Sequence, residues 1–283
     1  MNRIIFSGAL ALALTAPAIF AQPKPKSQAE LDALKAMYAA QTADARIAAC
    51  ENVLEKFKDS DFKATALYFE ALSYEQKGDY ANTVVFGERT LEADPKHYEA
   101  MLMLASDIAQ HTKEFDLDRE QKLAQVEKYA NTALELLKDA PKPNNQLTDE
   151  QWAGAKKDFA AQAHAALAMG AMARKKYDVA ESEFKTAISS TDKPDPGYIV
   201  RLGRVYSEEG KYDDAIAQYD KVMAMQEINP AFRQVAQAER VRTIQKKNAA
   251  NPGAPAASGA PGTPPAAAPP AKPDAPKPNG PQQ

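Results

Sequence analysis

The chain has 283 residues, of which 45% are hydrophobic and 26% charged, with a formal net charge of -3 at pH 7. That length accommodates one or two domains with a buried interior. The balance supplies no basic face for phosphate, so no nucleic-acid partner is expected, and a lone cysteine, Cys50, excludes an intramolecular disulfide or a thiolate metal cluster. Residues 1–21 open with Asn2 and Arg3, continue through the apolar run IIFSGALALALTAPAIF and end on the small Ala21. They read as a secretory signal peptide. The expectation is an exported chain, periplasmic or secreted at a bacterial envelope. No cysteine follows the run, so a lipoprotein anchor is not expected, and no later segment is apolar enough to make a membrane span after signal removal.

Residues 22–26 (QPKPK) are a proline-broken spacer, and helical periodicity then runs almost unbroken from Ser27 to Lys247. No stretch alternates as a strand would, so the fold class is all-α. Ser27 and Glu30 have capping-box spacing. A first unit, 27–60, places Leu31, Leu34 and Met37 on one helix and Ile47, Cys50, Val53 and Leu54 on the next. On that apolar side Cys50 is expected to be a buried small residue. A second unit, 64–97, has Leu67, Ala71 and Tyr74, a Gly78-Asp79-Tyr80 turn, then Leu91 and Pro95.

The third unit, 98–138, carries Met101, Leu104, Ala105 and Ile108, then an insertion over 111–122 (HTKEFDLDREQK). Asp118 and Gln121 are spaced to cap its second helix, which continues through Val126, Tyr129, Ala130, Ala133 and Leu134. Residues 138–147 (KDAPKPNNQL) break the pattern, and Thr148 with Gln151 forms another capping box. The long helix that follows, toward Arg174, would approach about 40 Å at 1.5 Å per residue. It leads into a fourth unit, 148–194, with Leu167, Ala168, Ala171, Tyr177, Ala180, Phe184 and Ala187, where Lys175 stands in place of the turn glycine.

The fifth unit, 196–229, is the best kept: Leu202, Gly203 and Tyr206, a turn at Gly210 and Tyr212, then Ala215, Tyr219 and Val222, closed by Pro230. This pattern resembles a tetratricopeptide repeat, a helix–turn–helix of about 34 residues that buries its apolar face by stacking on neighbours. The resemblance implies a superhelix of about five uneven repeats. Residues 230–247 set Phe232, Val235, Ala236 and Val241 against Arg233, Glu239, Arg240 and Arg242, as a helix capping the stack would. Residues 248–283 turn to proline, alanine and glycine, a composition that cannot offset ordering entropy and reads as a disordered tail.

In proteins of this family the first helix of each repeat lines a concave groove. The resemblance therefore implies a non-enzymatic scaffold that binds a protein or peptide, and the signal peptide supplies the setting, a bacterial periplasm or an envelope assembly. Carried over by position, the groove residues are Tyr68, Leu72 and Glu75, then Leu102, Ser106 and Gln110, then Met169 and Met172, and last Val200, Arg204 and Glu208. The two methionines are adaptable contacts. Chaperone-binding relatives hold a peptide carboxylate with lysines and asparagines, but the matching positions here are Tyr68, Leu102, Ala165, Val200, Leu72, Ser106, Met169 and Arg204. A single arginine is not such a clamp.

Chemistry is not indicated elsewhere. His97, His111 and His164 lack metal-ligand spacing, and His97, after the Asp94-Pro95 helix stop, reads as solvated. There is no nucleophile turn or phosphate loop, and the pairs Glu208-Glu209 and Asp213-Asp214 read as solvated helix ends. No enzyme activity, cofactor or metal is expected. Two rival readings stand beside the scaffold. One is an assembly or structural factor of outer-membrane, secretion or pilus machinery. The other is a carbohydrate or cell-wall binding module using Tyr68 and Trp152 as stacking platforms, although Trp152 is better placed to pack against the insertion or the proline-rich break.

Overall fold

The computed structural model describes residues 23–143 and 146–251. The expected signal peptide, Gln22 of the spacer, and 252–283 of the expected tail lie outside the described residues. Among the described residues there are eleven α-helices and no strand. They come as five antiparallel pairs and a last helix: α1 (Gln28–Ala39) with α2 (Ala43–Lys56), α3 (Lys63–Lys77) with α4 (Tyr80–Ala93), α5 (Tyr98–His111) with α6 (Arg119–Asp139), α7 (Asp149–Ala173) with α8 (Tyr177–Ser189), α9 (Pro196–Glu208) with α10 (Tyr212–Ala224), and α11 (Pro230–Ala250). Each second helix also packs on the first helix of the next pair, which makes the chain a superhelical stack. α11 runs on to Ala250, so helix occupies the first positions that composition assigned to the tail.

Three of the hairpin turns are built alike. Gly78, Lys175 and Gly210 adopt φ of 73°, 60° and 77°. In each turn the next amide bonds back across the helix end, Asp79 to Tyr74, Lys176 to Ala171 and Lys211 to Tyr206, at 2.9–3.0 Å. Glycine reaches that left-handed backbone freely, whereas Lys175 does so against a Cβ penalty of roughly 1 kcal/mol. The missing glycine therefore changes the cost of the turn and not its shape.

The helix starts are mixed. Thr148 and Gln151 form the reciprocal capping box, with both amide bonds present. At α1, Ser27 accepts the Glu30 amide, but the Glu30 carboxylate does not return to the cap residue. It is buried, taking the Lys26 amide and the Ser60 hydroxyl, and so ties the start of α1 to the α2–α3 loop. Asp118 makes no cap bond; its carboxylate sits 3.0 Å from Lys122 instead.

The core is three consecutive clusters, and α7 joins the last two of them. Ala163 and Ala166 pack toward the α5–α6 pair, while Ala161, Ala165, Ala168 and Ala171 pack toward α8 and α9. At 25 residues this helix is about 37 Å long. Its first half bridges the proline-rich break: the Trp152 indole N–H donates to the Ala140 carbonyl at 3.1 Å, and Phe159 meets Tyr98 edge-on. Cys50 is fully buried, and that burial, with Glu70 nearby, pushes its thiol up to about 12.

α11 docks differently from the sequence expectation. Ala236 and Thr243 are its buried residues, while Val235 and Val241 are exposed. Successive residues turn by about 100° on a helix, which puts Val241 opposite Phe232 and Ala236. Small residues thus form the inner stripe, flanked by ion pairs: Arg204–Glu239 and Lys246–Glu208 reach α9, and Arg240–Asp220 and Lys247–Asp213 reach α10.

Candidate binding surface

The first helices set which of the expected groove residues can meet a partner. Leu102 and Ser106 are buried because α5 is enclosed by α4, α6 and α7, so that every residue from Ala100 to Ala109 is covered. Val200 is buried in the same way on α9. These three leave the contact surface and belong to the helix stack. Arg204 and Glu208 keep exposure, but their charges are engaged by Glu239 and Lys246. The groove positions of the last repeat therefore hold α11, which occupies the place of the next first helix.

What remains is Tyr68, Leu72 and Glu75 on α3, Gln110 at the end of α5, and Met169 and Met172 on α7. All are partly buried except Gln110, which is exposed. Met169 packs against both the second and third clusters. The Gln110 side-chain oxygen accepts from the Arg201 guanidinium at 3.3 Å, a bond from α5 to α9 that passes over the intervening pair. Arg201 was not among the sequence candidates. Its partner is 91 residues away, and burial works against its charge, lowering its pKa.

The other end of the surface is acidic and aromatic. Burial, reinforced by Asp94, pushes the Glu99 carboxyl up to about 7, although 37% of its side chain stays accessible. His97 is not solvated, as its sequence position suggested, but 12% exposed at the side chain. Its Nδ1 accepts the Ala100 amide at 3.3 Å as the cap of α5, and its ring lies 4.6 Å from that of Tyr68. Burial lowers its pKa, so the ring is neutral near pH 7 and its 3.7 Å approach to Glu99 is not an ion pair. The surface thus has the Glu99 carboxyl and the Tyr68 ring on either side of His97 and a guanidinium beside Gln110, with the methionines of α7 on the same row of first helices.

Other candidate chemistry is absorbed by structure. His111 stacks on Tyr80 at 4.1 Å, and His164 meets Glu183 at 2.7 Å between α7 and α8. Among the described residues no three His, Cys, Asp or Glu side chains are grouped to hold a metal ion, and no helix is long and apolar enough to cross a membrane. Trp152 is 7% exposed and committed to Ala140, which removes it as a platform for a sugar ring.

Comparison with known proteins adds a family and a fold. Residues 197–229 match the tetratricopeptide repeat family. Among solved structures, TTC0263, a thermophilic TPR protein of Thermus thermophilus, is similar at 18% identity, covering 75% of this chain and 99% of that one, with a TM-score of 0.53. A Pseudomonas aeruginosa pilF structure covers 80% of this chain and 91% of its own at 12% identity and a TM-score of 0.47. A tetratricopeptide repeat protein from Parabacteroides merdae ATCC 43184 covers 80% and 94% at 15% identity and 0.41. No curated protein matches the sequence. At 18% identity the likeness to TTC0263 concerns the fold.

Proposed function

We propose, from the premise that this chain is a tetratricopeptide-repeat protein built as an interaction scaffold, that it binds a protein or peptide segment along the first-helix row of α3, α5 and α7. The observation that carries this reading is the set of half-covered side chains left there, Tyr68, Leu72, Met169 and Met172, with Glu75 and Gln110 also accessible, when Leu102, Ser106 and Val200 are buried and Arg204 and Glu208 hold α11. Apolar and aromatic groups with two adaptable thioethers are the contacts that anchor a peptide. Glu99 at the start of α5 and Arg201, held against Gln110 at the end of α5, favour a segment that carries both signs of charge. The apolar run after Asn2 and Arg3 supports export, and we place the binding event at a bacterial envelope.

The test is recovery of partners by the full chain cross-linked in its native envelope. Leu72→Ala with Met169→Ala is expected to reduce recovery of the principal partner by at least about tenfold, or 1.4 kcal/mol, at a temperature where circular dichroism shows the variant still folded. Loss only on deleting residues 252–283 would move binding to the tail, and retention on purified cell wall would revive the carbohydrate reading. Either result removes the groove.

A further inference from the structure

The inner side of α3 carries a group that its neighbours do not satisfy. Glu70 is 1% exposed, and neither carboxylate oxygen has a hydrogen-bond partner. Ionised, it is a charge in the interior without the bonds that compensate one. It lies where two core clusters meet: Ala66, one turn before it, belongs to the first cluster, and Ala71, beside it, to the second. Glu70 therefore marks the seam between the N-terminal helix pair and the rest of the stack.

The charges on the two sides of that seam are unequal. α2 and α4 are the helices packed most closely on α3. From α2, Glu51 acts on Glu70 with like sign, and the Cys50 thiol is within electrostatic reach. From α4, Arg89 acts with opposite sign. Tyr74 stands one turn further along α3, and Tyr38 of α1 reaches Cys50; burial first pushes both phenols up. A charged Glu70 is thus repelled by α2 and attracted by α4, so the α2 side is the one that yields.

That side is also the weaker one. Each pair in a stack is held by its neighbours, and α1–α2 has a single neighbour. Its cluster is the smallest of the three. Outside that cluster the seam is spanned by the surface ion pair of Lys77 with Asp44 and by the edge-on contact of Tyr38 with Phe69 at 5.2 Å. Ser60 of the connecting loop holds Glu30 at the tethered end.

We propose that ionisation of Glu70 releases the α1–α2 pair from α3, which makes the N-terminal repeat a pH-dependent module on the rest of the stack. The docked carboxyl is pushed up to about 7, by burial first and Glu51 second, against an ordinary value near 4.5 once the pair has left. Docking is then at full strength below the ordinary value and weakens as pH rises through 7. From near pH 6 to near pH 8 the released fraction should rise about tenfold. A released pair loses protection of its own amides, because helices of 12 and 14 residues are marginal without packing. It also uncovers Cys50, which is fully buried when docked. This release is independent of partner binding on the first-helix row.

The experiment is hydrogen–deuterium exchange of the full-length wild type and Glu70→Gln near pH 6 and near pH 8, with each rate divided by that of the unfolded chain at the same pH. Glu99 titrates in both chains, so their difference isolates Glu70. In the wild type the amides of 28–56 should exchange about tenfold faster at the higher pH after this correction, while those of 80–93 and 196–224 keep their protection. The variant should show no such gain in 28–56. Alkylation of Cys50, corrected in the same way, should follow the 28–56 amides. Equal acceleration in all three regions, which is unfolding of the whole chain, would overturn the proposal. The same acceleration in the variant, or constant protection of 28–56 in the wild type, would overturn it as well.

Discussion

Replacing Glu70 with glutamine is expected to raise the stability of the chain near pH 8 by about 3 kcal/mol and to flatten its pH dependence. Glu70 is 1% exposed on α3, and neither of its carboxylate oxygens has a hydrogen-bond partner. Burial first, and then Glu51 of α2, push its pKa up to about 7, with Arg89 of α4 pulling the other way. The folded pKa lies above that of the unfolded chain, near 4.5, so the folded state binds the proton more tightly between the two values. Below the unfolded value there is no penalty, and stability falls as pH rises through 7, after which the full cost of the buried anion is present. Glutamine stands in for the protonated acid and removes this cost at high pH only. Urea midpoints measured near pH 5 and pH 8 decide it: wild type should lose clearly more stability across that span than the variant, in which Glu99 still titrates. Parallel profiles for the two chains would show that Glu70 finds a partner in solution.

Gly203→Ala should destabilise the chain by about 2–3 kcal/mol, while Gly154→Ala should stabilise it by about 0.5–1 kcal/mol. Both glycines lie within helices, so propensity alone would favour alanine at each. At Gly203 an added Cβ would stand 2.6 Å from Cε1 and 2.8 Å from Cζ of Tyr219. That ring is fully buried in the core cluster that joins α9 to its neighbours. At Gly154 nothing lies within 4 Å of the same atom, and only backbone freedom in the unfolded chain is lost. Thermal or urea midpoints of the two variants should move in opposite directions. Equal shifts would mean that α9 and α10 are less closely packed than the Tyr219 ring position requires.

Local chemistry was legible in the sequence. Helix starts and turns are written in one or two residues, as at Thr148 with Gln151 and at Gly78 and Gly210. Even Lys175 keeps the turn, because the bonds around it outweigh one strained backbone. The row of first helices came from the family resemblance, whereas periodicity sets only which positions share a helix face.

What periodicity does not set is what lies against that face. Leu102 and Ser106 have groove spacing, yet α7 closes over α5. Arg204 and Glu208 have it too, yet α11 claims them. Glu30 shows the same limit at a helix cap, where a residue from the next loop, Ser60, takes the carboxylate that the local pattern assigned to the cap. Arg201 was missed because its partner lies 91 residues away, and Glu99 because spacing does not reveal how deeply the start of α5 is buried.

Photo-crosslinking from single positions in the native envelope tests the central claim most directly. A photoreactive phenylalanine analogue replacing Tyr68 on α3 or Met172 on α7 should trap the same partner protein. The same group replacing Val179, exposed on α8 among the second helices, should not. Capture confined to Val179, or equal from all three positions, would contradict a binding surface on the first-helix row.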